Sequence, residues 1–301
     1  MDLLHLTAWA DRYSLENGGE IRELPGLSIF RRDAPSEVEA VVYQPVISLI
    51  LQGSKSTAIG DRTVRLRPGD ALLVSHALPV VSRITEASRA QPYLALILDL
   101  DFELLRGLHA QLGDALPRAG GPARALAAAT AEPGWLAPLG RYIDLAGHPL
   151  DVEVLGPGLR REIHYRLLLS PIGSMLRDLL RADSHGSRVA EAIRRLRAGF
   201  RAPLSVPELA REAGMSPSSF HAHFKAVTGT TPLQYQKDLR LIEAKALLRE
   251  RQSGVSEAAF SVGYESPTHF SRDYRRKFGR PPSRDGQAEI SGSARLGAAG
   301  G

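Results

Sequence analysis

From Gly26 to about Leu100 the apolar positions fall in short runs: Leu27-Ser28-Ile29-Phe30, Ala40-Val41-Val42-Tyr43, Val46 to Leu51, Ala71 to Val74 and Leu94 to Leu98. Turn residues punctuate them at Gln52-Gly53-Ser54, Gly60-Asp61-Arg62 and Pro68-Gly69-Asp70, supplying the positive or fixed φ that tight hairpins require. This pattern predicts an antiparallel all-β unit, a small barrel or sandwich. From Asp101 to about Asp183 the spacing turns helical, with Leu139, Tyr142, Ile143 and Leu145 in one stretch and Ile163, Leu167 and Leu168 in another. These helices are expected to pack on the β unit or on a second subunit; in the alternative of a front domain that serves only to dimerise, Leu139, Ile143, Leu167 and Leu176 provide the helix–helix contacts. The Ala-rich stretch Arg118 to Pro133 reads as a loose connector, and Asp183-Ser184-His185-Gly186 as a domain boundary.

Beyond that boundary one helical unit occurs twice. Val206, Ala210 and Gly214 recur 49 residues on as Val255, Ala259 and Gly263; Phe220, Phe224, Lys225, Gly229 and Pro232 recur 50 on as Phe270, Tyr274, Arg275, Gly279 and Pro282. In the first copy Ser205 with Glu208 forms a capping box, and Gly214 ends the helix. Ser216-Pro217 then opens a second helix whose Phe220, Phe224 and Val227 face inward. Ser266-Pro267, with Phe270, Tyr274 and Phe278, repeats the scheme. Helix, glycine turn, helix is the helix-turn-helix plan, and small Ala210 and Ala259 let the paired helices cross closely. Between the copies, Tyr235, Leu239, Ile242, Ala246 and Leu247 mark a connecting helix of roughly 30 Å, near the length of one DNA turn.

Charge divides at the same place. Residues 1–185 carry a net −3 and residues 186–285 a net +8, so only the latter region is suited to a polyanion. The chain has no Cys, which excludes disulfides, thiolate nucleophiles and sulfur-bound zinc. The apolar runs are too short for a membrane span, and Asp2 stands where a secretory leader would be positive. A cytoplasmic protein is expected.

The elements Leu209-Ala210, Met215-Ser216-Pro217-Ser218-Ser219-Phe220, Phe224-Lys225, Thr231-Pro232 and Gly263-Tyr264 to Phe278-Gly279, before Pro281-Pro282, resemble the arabinose-regulator (AraC/XylS) family of bacterial transcription factors. Upstream, Tyr43-Gln44-Pro45, Leu51-Gln52-Gly53-Ser54-Lys55, Gly60-Asp61 and Pro79-Val80 resemble the cupin-like front domain of one branch of that family. The resemblance implies an α+β chain: a cupin-like β-barrel with accessory helices over 1–185 and an all-α double helix-turn-helix over 186–285. The remainder, 286–301, ending Gly297-Ala298-Ala299-Gly300-Gly301, reads as a disordered tail. It implies binding to double-stranded promoter DNA, contact with RNA polymerase, and a front domain that takes a small-molecule effector or forms a homodimer. Matched residue by residue, the base-reading candidates are Ser218, Ser219, His221 and Ala222 in the first module and Thr268, His269, Ser271 and Arg272 in the second. Ala222 stands where relatives often carry Arg, which removes a bidentate donor to guanine but leaves contact with a thymine methyl. Lys225, Arg275, Arg276 and Lys277 are the phosphate candidates.

Within the β unit, Arg31, Tyr43, Ser75, His76 and Tyr93 are the effector candidates. Each depends on strand register, because a shift of one residue exchanges the two faces. The alternative, a cupin-type enzyme with a basic helical appendage, lacks its chemistry. His76 stands alone in the β region, whereas a catalytic metal needs about three protein ligands. No Gly-x-Ser-x-Gly elbow, phosphate-binding loop or His-Glu-x-x-His helix occurs. No catalytic residue, metal or cofactor is expected.

Overall fold

The short apolar runs form two antiparallel sheets in the computed structural model, which describes residues 3–117, 124–181, 184–250 and 253–285. The strands are β1 (Leu27–Arg32), β2 (Glu39–Tyr43), β3 (Val46–Gln52), β4 (Ser54–Ile59), β5 (Arg62–Leu66), β6 (Asp70–Val74), β7 (Leu78–Glu86), β8 (Tyr93–Asp99) and β9 (Leu126–Thr130). One sheet has the order β1-β8-β3-β6-β9, the other β2-β7-β4-β5. The two remain separate ladders, so the architecture is a sandwich rather than a closed barrel. Central strands β3 and β8 are buried on both faces: Ile47, Leu49, Leu94 and Leu96 join one core, while Ile50, Tyr93 and Ala95 join another. Two-sided burial is why these strands read as continuous apolar runs without alternation. The expected connector between Arg118 and Pro133 instead contains β9, paired with β6 from Asp70↔Thr130 to Val74↔Leu126. Its alanines supply backbone pairing without an apolar pattern to announce it.

Helices α1 (Leu3–Asn17), α2 (Phe102–Leu112), α3 (Pro133–Ile143), α4 (Pro149–Leu169) and α5 (Ser174–Leu180) share a core with the outer face of the first sheet. Asp101 caps α2 by accepting from the Leu104 N–H at 3.0 Å. Leu139, Ile143, Leu167 and Leu176 are all at most 2% exposed in this core. They therefore cannot serve as contacts between copies; fully burying each such side chain stabilises the fold by about 1.5–3 kcal/mol. The apolar side chains that α4 leaves in solvent are Leu150, Val154 and Leu155.

The remaining helices are α6 (His185–Ala198), α7 (Val206–Glu212), α8 (Pro217–Thr228), α9 (Pro232–Arg249), α10 (Val255–Ser261), α11 (Pro267–Phe278) and α12 (Pro282–Asp285). The cap of α6, Ser184, accepts from Ser187 N–H, so the helix begins within the predicted boundary. Expectations for 286–301 lie outside the described residues. The inner faces of both sheets share one apolar cluster with α6–α9, in which Leu78, Val80 and Tyr93 are joined with Leu196, Phe220, Phe224 and Tyr235. The second module has a core of its own around Leu241, Leu248, Ala259, Phe270 and Tyr274. The Ala125 N–H donates to the Val227 carbonyl at 2.9 Å, and the Tyr235 hydroxyl to the Ala77 carbonyl at 2.5 Å. The first helical module is thus fastened to the sandwich by backbone and side chain alike.

Candidate nucleic-acid interface

Helices α8 and α11 begin alike. Ser216 accepts from the Ser219 N–H at 3.3 Å and Ser266 from the His269 N–H at 3.4 Å, each followed by Pro at the first helical position, where its missing N–H costs nothing. Both end on glycine in the left-handed region, Gly229 at φ 72° and Gly279 at φ 73°. Their inward stripes are aromatic: Phe220 packs on Phe224, whose ring meets Tyr235 edge-on, and Phe270 packs on Tyr274. All five rings are fully buried.

Fixing the inward stripe fixes the outward one. On α8, Ser218, His221, Ala222 and Lys225 are exposed and Ser219 is half-buried. On α11, Thr268, His269, Arg272, Arg275 and Arg276 are exposed and Ser271 is half-buried. Among the described residues Lys225, Arg272 and Arg275 have no ion-pair partner, so their charge is available to a polyanion. Arg276 leans on Asp273 at 3.1 Å while staying largely in solvent. Lys277 departs from the expectation: its ammonium is 2.7 Å from Asp238 on α9, with the side chain only 13% exposed. Together with Lys237–Asp273 at 3.0 Å it ties α11 to α9, and this removes it from the phosphate group.

The sequence reading missed the residue at the centre of the two modules. Arg240 on α9 donates from Nε to the Phe200 carbonyl at 2.7 Å and from Nη2 to Arg201 and Ala202 at 3.0 and 2.9 Å. Its Nη1 reaches the Gly263 carbonyl in the second module at 2.8 Å. Beneath α11 a second buried set holds α12: Tyr274 donates to Asp285 at 2.7 Å, and Arg280 caps the same carboxylate. Burial works to raise the Asp285 pKa, but hydrogen bonds from Tyr274 and Arg280 hold it below the usual carboxylate value. Lys245 nearby is pushed down to about 8, by burial first and by Arg249 second.

In the sandwich, a cavity of about 20 Å³ lies between the sheets, lined by Phe30, Tyr43, Ser48, Lys55, Leu66 and Tyr93 among others. That is room for one or two waters. Of the effector candidates it takes in Tyr43 and Tyr93. Arg31 faces the helix layer, where it is paired with Asp11 and Asp33. Ser75 and His76 turn toward each other at 2.7 Å under the start of α6, and burial lowers the His76 pKa to about 4. The inward residues next to the proposed ones, Phe30 and Lys55, were not singled out; the Lys55 ammonium lies 4.8 Å from the Tyr43 ring centre. Among the described residues no group of three His, Asp or Glu side chains is placed to hold a metal, and no helix is long and apolar enough to cross a membrane.

Two capped modules on one connecting helix, docked against a β-sandwich, define a double helix-turn-helix protein. Residues 23–175 match the family model described as AraC-type transcriptional regulator N-terminus, and residues 209–287 the model described as helix-turn-helix domain. The chain belongs to the AraC-type transcriptional regulators. It is similar to the transcriptional regulator LumQ of Photobacterium leiognathi, 42% identical over 27% of this chain and 33% of that protein. It is also similar to the HTH-type transcriptional regulator ExsA of Pseudomonas aeruginosa, 26% identical over 81% of this chain and 86% of that protein. Thus the chain spans only a third of LumQ's length but most of ExsA's. The crystal structure of ToxT from Vibrio cholerae O395 shares the fold, with TM-score 0.52 and 10% identity over 86% of this chain and 95% of that one.

Proposed function

We propose that this chain is a sequence-specific DNA-binding regulator of transcription, acting in the cytoplasm by binding and not by catalysis. Helices α8 and α11 enter major-groove segments on one face of promoter DNA, with Ser218, Ser219, His221, Ala222, Thr268, His269, Ser271 and Arg272 toward base edges. Lys225, Arg275 and Arg276 meet phosphates. The observation that carries this reading is the pair of capped helices presenting free cations, Lys225 and Arg272 with Arg275, from two modules joined by the 18-residue α9. At 1.5 Å per residue α9 spans about 27 Å, close to the rise of one duplex turn. RNA polymerase is the downstream partner. Control passes through the sandwich, by a small molecule that parts the sheets around Tyr43 and Tyr93 or by a second copy.

Selection of bound duplexes by the full chain, at stated salt, tests the reading. The expected product is a bipartite motif with centres about one helical turn apart. Enrichment of no sequence, with and without candidate effectors, would refute it.

A further inference from the structure

The hairpin joining β4 to β5 ends at Gly60-Asp61-Arg62, and its tip stands against the C-terminal end of α8. Contact is at backbone distance: a Cβ on Gly60 would lie 2.1 Å from the Gly229 carbonyl oxygen, and one on Gly229 would lie 3.2 Å from Ile59. Glycine at both positions is what lets the two segments meet, and both take positive φ, 56° and 72°. Beside this contact runs an open groove lined by Asp61, Arg62, Ala222, Lys225, Ala226 and Gly229. One wall of that groove, Ala222 and Lys225, is the outward stripe of the reading helix; the other is the hairpin tip. Arg62 is exposed and, among the described residues, has no ion-pair partner.

We infer that the β4–β5 tip is part of the DNA-binding surface and that Arg62 meets the phosphate backbone alongside Lys225. The inference rests on the reading of α8 given above and adds a DNA contact from the sandwich. A recognition helix points its N-terminal residues at base edges, so its C-terminal half stands at the level of the backbone. There Arg62 and Lys225 bracket one groove, and a phosphate seated in it satisfies both. Asp61 in the same groove opposes the phosphate, which gives the two neighbouring tip residues opposite effects. The sandwich thereby adds sequence-independent affinity and fixes the register of the first module.

The test measures binding of the full chain to its selected duplex and to random duplex across a salt series, for Arg62→Ala, Asp61→Asn, Lys225→Ala, Arg272→Ala and Arg89→Ala. Arg89 is exposed in the loop after β7, at the far end of the sheet from the hairpin tip, and serves as the control. One lost phosphate contact lowers the salt slope by about 0.9, equivalent to about an eightfold loss at 0.1 M salt relative to 1 M. Arg62→Ala is expected to show this on both duplexes, Asp61→Asn to tighten binding, and Arg89→Ala to change nothing. An unchanged slope for Arg62→Ala, with Lys225→Ala and Arg272→Ala still impaired, overturns the inference and leaves the reading of α8 and α11 standing. Tighter binding by Arg62→Ala overturns it too, because the hairpin is then an obstacle. If none of the Lys225, Arg272 and Arg62 variants loses affinity, the parent reading falls and takes this one with it.

Discussion

Replacing Arg240 by Ala removes one guanidinium and leaves four backbone carbonyls, of Phe200, Arg201, Ala202 and Gly263, without their charged donor. A hydrogen bond to a charged group contributes about 1.5–3 kcal/mol net, less where water can take its place. Arg240 is half-buried, and burial lowers its pKa, so part of the compensation by water is denied to it. Taking two of the four bonds as fully felt gives a loss of about 3–6 kcal/mol, at the severe end for a single substitution. Urea unfolding followed by fluorescence and circular dichroism would read this as a lower midpoint at unchanged slope. Arg240→Lys should recover little, since an ammonium on one stem cannot reach the carbonyls of two modules from a planar fork. A loss below about 1 kcal/mol for Arg240→Ala, or near-complete rescue by Lys, would refute the view that this side chain holds the modules in register.

Lys277→Ala should lower stability through loss of the Asp238 pair while leaving the salt slope of DNA binding unchanged; a slope reduced by about one would return Lys277 to the phosphate contacts. Arg272→Ala should cost roughly 1–3 kcal/mol at the selected duplex and little at random duplex, and equal loss at both would make it a backbone contact. Gly263 sits at φ 89° with a would-be Cβ 2.0 Å from the Arg201 carbonyl oxygen, whereas Gly279 at φ 73° has open space. Gly263→Ala should therefore lower the melting temperature more than Gly279→Ala, and equal shifts would refute the packing argument. His76 keeps its neutral form down to about pH 4, while in the unfolded chain it protonates near 6.5. Its contribution is whole above about pH 6.5 and declines toward pH 4 at up to about 1.4 kcal/mol per unit. Buried His164, also shifted down by burial, acts in the same direction. In His76→Gln the pH dependence of unfolding should be shallower by up to one proton, and a slope equal to that of the parent would dispose of the assignment.

The helical third was legible because its signals are local. Ser205, Ser216 and Ser266 cap the helices they were read to open, Gly214 carries the positive φ its turn requires, and the aromatic stripe lies inward. The strands were legible as runs and ambiguous in register. Arg31 was placed inward while its neighbour Phe30 lines the cavity, because β1 lacks the alternation that would have told the faces apart. Strand β9 was lost for a related reason: Ala127, Ala128 and Ala129 pair through backbone groups, which composition does not report. Arg240 and the Gly60–Gly229 contact join residues far apart in the chain, and no spacing rule encodes such meetings. Lys277 looked like its basic neighbours until α9 brought Asp238 beside it.

The apolar cluster that the two sheets share with α6–α9 also sets an order of events at the ribosome. Leu78, Val80 and Tyr93 are made early, and Phe220, Phe224 and Tyr235, which join them in that cluster, follow more than a hundred residues later. At 5–20 residues per second, about 150 residues of further synthesis leave that surface incompletely covered for roughly 8–30 s. For that interval the inner face of the sandwich stays open to solvent, and the first helical module, α6–α9, is the lid that ends its exposure.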